Sequence, residues 1–204
     1  MLDRGSTLQS MNLMALNLMV ILDRDGTIVV DHGYLDDPER LEFLPGAAEG
    51  LRRISERGAR IIVVTNQSGV GRGRFTLERM HEINGRLTRM TEQIGVRIAG
   101  IYSCPHRPED HCACRKPNTR LVLDAAAELG FDPAGAVVIG DKSSDIELGR
   151  RLHALTMLVS GNGRDSDGEA VEADYVVRDL LEAARIIDTP AFGARVVHHL
   201  KSMM

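Results

Sequence analysis

The sequence has few aromatic residues, which limits the partners it can bind. Phe, Trp and Tyr make up 3% of its 204 residues, and Trp is absent. Surfaces that bind nucleic acid stack bases on aromatic side chains and hold phosphates on a basic face. Here 25 Lys and Arg stand against 29 Asp and Glu, and no predicted helix carries a basic stripe. We therefore expect no nucleic-acid partner.

Long hydrophobic runs are also missing. No run reaches the length of a membrane span. The short apolar part of the N-terminal segment merges with the first predicted strand, without the basic region and cleavage site of a signal peptide. Residues 1–17 form an extension that we expect to be poorly ordered. These features predict a cytoplasmic protein without a membrane partner.

Cysteine is scarce and clustered, because all three Cys lie within residues 104–114. An odd, clustered set without a secretory signal favours a metal site in a reducing compartment over disulfides. Three thiolates and one imidazole make a closed tetrahedral set for structural Zn²⁺. The predicted ligands are Cys104, His106, Cys112 and Cys114, with His111 as a rival for the imidazole position.

Strand-like apolar runs alternate with amphipathic helical patterns along the chain. Strands are predicted at residues 18–22, 60–64, 100–103, 136–139, 155–159 and 175–177. Helices are predicted at 47–57, 77–93, 119–129, 143–151 and 180–187. The alternation predicts an α/β fold, a three-layer α/β/α sandwich with a doubly wound, mainly parallel sheet. We assign residues 18–188 to a single domain and 189–204 to a weakly patterned C-terminal tail.

Four successive strands lead into polar clusters, at residues 23–25, 65–68, 104–117 and 140–145. The carboxyl ends of parallel strands meet at one edge of a sheet, where ligands bind. Several carboxylates placed together there need a cation, and oxygen ligands favour Mg²⁺. Lys116, Lys142 and a hydroxyl from Thr65 or Ser68 add groups that can neutralise a phosphate while a carboxylate attacks it.

In this order, DRDGT, the TN pair, Lys116 and GDKSSD resemble the four motifs of the haloacid dehalogenase (HAD) superfamily of phosphohydrolases, over about Val20 to Leu148. The resemblance implies that Asp23 is the nucleophile and forms an aspartyl-phosphate. Asp25 would protonate the leaving oxygen and then activate the hydrolytic water. Thr65 and Lys116 would hold the phosphoryl oxygens. Mg²⁺ would be bound by Asp23, the Asp25 backbone carbonyl and Asp141, with Asp145 orienting Mg²⁺-bound waters or Lys142.

The chain resembles a capless group within this superfamily. Residues 26–64 and 66–115 hold too little sequence for a cap domain, so we expect an open site and a monomer. DRDGTIVVDHGYL, VVTNQSGVGRG and CRKP resemble the heptose 1,7-bisphosphate 7-phosphatases of nucleotide-activated heptose biosynthesis. Histidinol-phosphate phosphatase, the other activity of the zinc-loop group, is the alternative.

The same resemblance implies that three short loops contact a phosphosugar substrate. The implied contacts are Asp31, His32, Gly33, Tyr34, Asn66, Gln67, Ser68, Arg115 and Lys142. Arg115, Lys142 and also Arg72 could bind groups distant from the reacting phosphate. A backbone hydrogen bond is an equally good interpretation of His32.

Two other functions, one a second enzyme activity and one of a different class, remain compatible with these motifs. The first is a 3′-phosphatase for nucleic-acid ends, against which the missing basic face argues. The second is a non-catalytic HAD-like module that binds a partner through the Cys/His loop. The intact set of Asp23, Asp25, Thr65, Lys116 and Asp141 argues against the second.

Overall fold

The computed structural model describes residues 18–160, 163–165, 167–168 and 170–202, so the predicted N-terminal extension lies outside it. The strands are β1 (Met19–Leu22), β2 (Arg60–Asn66), β3 (Ile98–Cys104), β4 (Val137–Gly140), β5 (Leu155–Val159) and β6 (Tyr175–Val177). They form a sheet in the order β3-β2-β1-β4-β5-β6, in which every neighbouring pair is parallel. The predicted doubly wound sheet is confirmed.

Helices connect these strands. They are α1 (Ala47–Glu56), α2 (Ser68–Gly71), α3 (Leu77–Gln93), α4 (Arg120–Leu129), α5 (Ser143–Arg151), α6 (Leu180–Ile187) and α7 (Pro190–Lys201). Side-chain oxygens of Thr76, Asp179 and Thr189 accept hydrogen bonds from the first turns of α3, α6 and α7. Such caps satisfy backbone N–H groups that have no partner inside the helix, and they set where these helices begin. No helix of the described ranges is both long enough and apolar enough to cross a bilayer.

The side chains of β1 alternate between two cores, as the pleat of a strand requires. Val20 and Leu22 pack with α1, α3, α6 and α7, whereas Met19 and Ile21 pack with α4 and α5. Both faces of the strand are therefore covered, which explains its uninterrupted apolar sequence. The three-layer architecture follows from this burial.

The strand order reverses between β1 and β4. The chain winds outward from β1 to β3, then crosses to β4 and winds outward to β6. This reversal leaves a crevice at the carboxyl ends of β1 and β4, the usual ligand site of such sheets. Residues 26–64 hold only a short 3₁₀ turn, α1 and most of β2, so this part of the described chain forms no cap over the crevice.

The segment predicted as a weakly patterned tail contains α7, which belongs to the core. Phe192 and Val196 are 1% and 3% exposed, and the Phe192 ring lies 5.9 Å from the Tyr175 ring. Arg195 Nη2 lies 2.5 Å from Asp174 Oδ1. Phe192 and Val196 have helical spacing, but the Gly and His residues around them weaken the pattern.

We predict that α7 contributes to the stability of the whole domain. Phe192→Ala should lower the free energy of unfolding by about 3–5 kcal/mol, because it removes a buried ring and leaves a cavity. Urea unfolding followed by circular dichroism measures this loss. Leu123→Ala is a suitable control, since Leu123 is 50% exposed, and it should change stability by less than about 0.5 kcal/mol. Equal stabilities for the two variants would contradict the assignment of α7 to the core.

Candidate active site

A buried lysine joins the ends of several elements at the crevice. Asp23 follows β1, and its backbone N–H donates to the Ile139 carbonyl of β4 at 3.0 Å. Lys116 Nζ lies 2.6 Å from Asp23 Oδ1 and 2.6 Å from Asp145 Oδ1 of α5. The same ammonium donates to the Val64 carbonyl of β2 at 2.7 Å. Lys116 therefore links β1, β2 and α5 through its three N–H donors.

Burial and charge act in opposite directions on this cluster. Burial lowers the pKa of Lys116, but the charges of Asp145 and Asp23 outweigh it, so the pKa is raised and the ammonium stays charged. Burial, opposed by Lys116 and reinforced by Asp23, raises the pKa of Asp145 to about 6. The site thus holds one permanent cation between two carboxylates.

Three carboxylates, two at strand ends and one in the first turn of α5, make a possible metal site. Oxygens of Asp23, Asp141 and Asp145 all lie within 4.8 Å of one another. Gly26 has φ +81°, and a Cβ there would lie 2.3 Å from Asp141 Oδ2, so only glycine leaves this carboxylate its place. A compact set of hard oxygen donors fits Mg²⁺. Two of the predicted Mg²⁺ ligands, Asp23 and Asp141, belong to this set.

Asp25 is held by groups other than the Lys116 cluster. Arg24, which is 1% exposed, pairs with Asp25 Oδ2 at 2.9 Å. Gln67 Nε2 donates to the same Oδ2 at 2.7 Å and to Thr65 Oγ1 at 2.8 Å. Gln67 was predicted to contact substrate, and the structure places it between two predicted catalytic residues.

Asn66, at the end of β2, anchors the loop that carries Lys116. Its side chain accepts from the Lys116 N–H at 3.0 Å and donates to the Lys116 carbonyl at 3.2 Å. Two opposed hydrogen bonds to one peptide segment fix both its position and its direction. The predicted substrate residue Asn66 therefore positions Lys116.

The four predicted Zn²⁺ ligands come together in the same loop. Cys114 Sγ lies 3.2 Å from Cys104 Sγ and 3.2 Å from His106 Nδ1, and the other measured pairs are 3.5–3.7 Å apart. Ligands about 2.3 Å from a tetrahedral zinc would stand about 3.7 Å apart, so the donor set fits. Burial raises the pKa of Cys104, so an added cation is needed to hold it as a thiolate. In the described residues His111 lies outside this cluster.

A cavity of about 500 Å³ opens at the crevice. All predicted catalytic and substrate-contact residues line it except His32, whose Nε2 lies 3.7 Å from Glu42 Oε1. The lining residues that the motifs did not predict are Arg24, Leu35, Gly69, Ser143, Ser144 and Asp167. Ser143 and Ser144 follow GDK at the start of α5 and could have been found from that position. No local sequence pattern predicts Asp167 as a lining residue. Its backbone N–H donates a hydrogen bond to Oδ1 of the buried Asp165 at 3.1 Å.

Cationic side chains lie around the cavity mouth. Lys142 Nζ is 3.5 Å from Asp31 Oδ2, and Arg115 Nη1 is 3.4 Å from the His106 carbonyl. The Arg74 guanidinium stacks 5.6 Å from the centre of the Tyr34 ring. Burial lowers the pKa of Lys142, but nearby carboxylates led by Asp31 outweigh it and raise the pKa. The mouth is therefore suited to an anion with charge beyond the reacting group.

The doubly wound sheet and the aspartates that Lys116 bridges at its crevice define a HAD-like hydrolase. A family profile described as HAD-hydrolase-like matches residues 113–183.

Whole-chain relatives narrow the class. D-glycero-β-D-manno-heptose-1,7-bisphosphate 7-phosphatase of Haemophilus influenzae is 32% identical, over 84% of this chain and 97% of its own. The Yersinia pestis protein of the same name is 34% identical, over 82% and 94%. The crystal structure of D,D-heptose 1,7-bisphosphate phosphatase from B. bronchiseptica, complexed with magnesium and phosphate, has 32% identity and a TM-score of 0.75. The match spans 83% of this chain and 97% of the B. bronchiseptica chain. The chain belongs to this heptose bisphosphate phosphatase family.

We predict that Lys116→Met strongly destabilises the fold at neutral pH. Removing the cation leaves two buried carboxylates unpaired, which should cost about 3–5 kcal/mol of unfolding free energy. Without Lys116 the pKa of Asp145 lies still further above its unfolded value, so stability is lost as pH rises through that pKa. The loss of unfolding free energy relative to wild type should therefore be large at about pH 8 and shrink towards about pH 5. Urea unfolding at several pH values, in buffer free of Mg²⁺ and chelator, measures it.

Two variants provide the matched controls. Lys142→Met removes a half-exposed lysine and should cost less than about 1 kcal/mol. Lys116→Met combined with Asp145→Asn should recover part of the loss, because one unpaired charge is removed. If the loss of unfolding free energy in Lys116→Met did not depend on pH, the unpaired carboxylates could not be its cause.

Proposed function

We propose that this protein is a Mg²⁺-dependent phosphatase that removes the 7-phosphate of D-glycero-β-D-manno-heptose 1,7-bisphosphate. The observation that carries the proposal is the buried Lys116 bridge to Asp23 and Asp145 at the sheet switch point. It provides a held carboxylate nucleophile beside a fixed cation, which phosphoryl transfer requires. The named activity of the relatives supports the substrate and its β anomer.

In the first half-reaction, a carboxylate oxygen of Asp23 attacks the phosphorus of the 7-phosphate. The bond from phosphorus to the sugar oxygen breaks, and the Asp25 carboxyl gives its proton to that oxygen. Lys116 holds Asp23 by Oδ1, which leaves Oδ2 for the attack. Because Thr65 Oγ1 accepts from Gln67, its own proton is free to donate to a phosphoryl oxygen.

In the second half-reaction, water attacks the phosphorus of the aspartyl-phosphate. Asp25, now a carboxylate, takes a proton from that water, and the bond from phosphorus to Asp23 breaks. Inorganic phosphate leaves, and both carboxyl groups return to their starting states. Mg²⁺, held by Asp23, Asp141 and the Asp25 backbone carbonyl, would supply positive charge to the phosphate oxygens.

The cations at the mouth favour a bisphosphate over histidinol phosphate. A second phosphate can pair with Lys142 and Arg115, which line the cavity beyond the reacting groups. Histidinol phosphate instead carries an ammonium group, which these side chains would repel. Arg72 is less suited to this role, because it does not line the cavity.

We also infer structural Zn²⁺ at Cys104, His106, Cys112 and Cys114. The Asn66 contacts join this loop to β2, so the metal would help to hold Lys116 in place. Three clustered thiols without disulfides support a reducing, cytoplasmic location. One chain supplies every group of the proposed mechanism, which supports a monomer.

A substrate panel tests the proposal directly. With Mg²⁺ present, kcat/KM for the β anomer of heptose 1,7-bisphosphate should exceed that for histidinol phosphate by about 10²-fold, because only the former pairs with the mouth cations. The α anomer in the same panel tests the anomer preference. Faster turnover of histidinol phosphate would overturn the assigned substrate.

Removal of the nucleophile tests the mechanism. Asp23→Asn should lower kcat by about 10⁴-fold or more, since the amide cannot form the acyl phosphate. Phosphate release and mass spectrometry of the trapped phosphoenzyme provide the two measurements. Asp124→Asn, on the exposed side of α4, should retain wild-type turnover. Residual turnover above about 10% in Asp23→Asn would exclude the covalent route.

The zinc proposal predicts a stoichiometric metal. Chelation should release about one equivalent of Zn²⁺ and lower Tm by several degrees. His106→Ala should bind less zinc than wild type, whereas His111→Ala should bind the full amount. Metal analysis by mass spectrometry distinguishes them, and full zinc occupancy in His106→Ala would show that the ligand set is wrong.

A further inference from the structure

Arg24 is buried although it stands between two carboxylates of the site. Its side chain is 1% exposed, and it is among the largest fully buried side chains of the described residues. A guanidinium cannot lose its proton in a protein, so its burial is tolerated only with a full set of partners. The proposed mechanism uses Asp23 and Asp25 but gives Arg24 no role.

The partners of Arg24 form a chain that runs away from the cavity. Its Nη1 donates to Asn84 Oδ1 of α3 at 2.9 Å. Asn84 Nδ2 donates in turn to Ser103 Oγ of β3 at 3.1 Å. Asn84 is 8% exposed and does not line the cavity. The orientation of the guanidinium is therefore set by two elements outside the reacting groups.

The other edge of the guanidinium binds the two oxygens of Asp25 unequally. Oδ2 lies 2.9 Å from Arg24 Nη2, 3.1 Å from Arg24 Nε and 2.7 Å from Gln67 Nε2. Oδ1 has only the longer Arg24 contacts, at 3.2 and 3.3 Å. Each oxygen accepts two hydrogen bonds, but Oδ2 accepts the shorter pair, from Gln67 Nε2 and Arg24 Nε, and is the poorer place for a proton. The carboxyl group is thus anchored by Oδ2.

We propose that Arg24 and Asn84 are positioning residues that hold Asp25 by Oδ2 and leave Oδ1 to carry the catalytic proton. This inference rests on the proposed role of Asp25 as general acid. As the bond from phosphorus to the leaving oxygen breaks, its electron pair stays on that oxygen, and the proton moves there from Oδ1. Arg24 and Asn84 take no part in the transfer itself.

Leaving-group dependence separates this role from a merely structural one. p-Nitrophenolate leaves without a proton, whereas phenolate leaves much faster when an acid protonates it. A misplaced Asp25 therefore slows phenyl phosphate more than p-nitrophenyl phosphate. A general loss of structure slows both substrates equally.

Asn84→Leu is the principal variant, because it alters the support of Arg24 without touching the cavity. In the presence of Mg²⁺, kcat/KM reports only the first half-reaction, in which the leaving group departs. For Asn84→Leu, kcat/KM for phenyl phosphate should fall about tenfold and kcat/KM for p-nitrophenyl phosphate less than about threefold. Arg24→Lys keeps the charge but loses the planar fork of the guanidinium. It should slow phenyl phosphate selectively, as Asn84→Leu does, and by a larger factor. Should one variant fail to fold, the other still gives the comparison.

Thr156→Val is the matched control. Thr156 is a buried polar residue of β5 whose hydroxyl bonds Asp174 at 2.9 Å, away from Asp25. It should lower stability and leave the ratio of the two kcat/KM values unchanged. Equal losses on both substrates in Asn84→Leu and Arg24→Lys, or no loss in either, would overturn the inference.

The aryl phosphates keep this test separate from the assigned substrate. Wild-type enzyme that preferred another phosphosugar would refute the heptose assignment, and the aryl ratios would still decide the role of Arg24. Wild-type enzyme that released phosphate from no monoester would overturn both.

Discussion

The contact on which the site depends is the buried ammonium of Lys116 between Asp23 and Asp145. Two carboxylates cannot stay ionised side by side in the interior without a cation, and here the cation also binds the end of β2 through the Val64 carbonyl. The ion pairs therefore tie together elements distant in sequence. In the proposed mechanism the same lysine that stabilises the resting protein also holds phosphoryl oxygens, so stability and function would share one group.

Lys116 reaches this position through a second set of contacts. The loop that carries it is gathered by the Cys/His cluster on one side and fastened to β2 by Asn66 on the other. Because the loop is held on both sides, it can fix the position of a charged side chain as firmly as a strand would. This arrangement would explain why the proposed structural metal site lies beside the lysine to which we assign a catalytic role.

Much of the fold and of the site could be predicted, because both follow from where apolar strands end. The runs before Asp23, Thr65 and Asp141 are short, buried and parallel, and the sheet then brings their ends together. Arg24 could not be predicted in the same way, since an arginine between two aspartates usually indicates a solvated turn. Its burial depends on Asn84, which lies on a helix far along the chain. Helix α7 was missed because Gly193, His198 and His199 interrupt its apolar pattern, so that only packing against the sheet reveals its buried face.

The uncovered mouth determines how a substrate would arrive. No cap domain in the described part of the chain covers the crevice, so the half-exposed Lys142 can act on solution ions before any contact forms. Attraction between such a cation and a multiply charged anion accelerates diffusional encounter and weakens within a Debye length of about 8 Å at physiological salt. The capture rate of this open site should thus respond to ionic strength, whereas the ion pair between the buried Lys116 and Asp23 should be screened much less by salt.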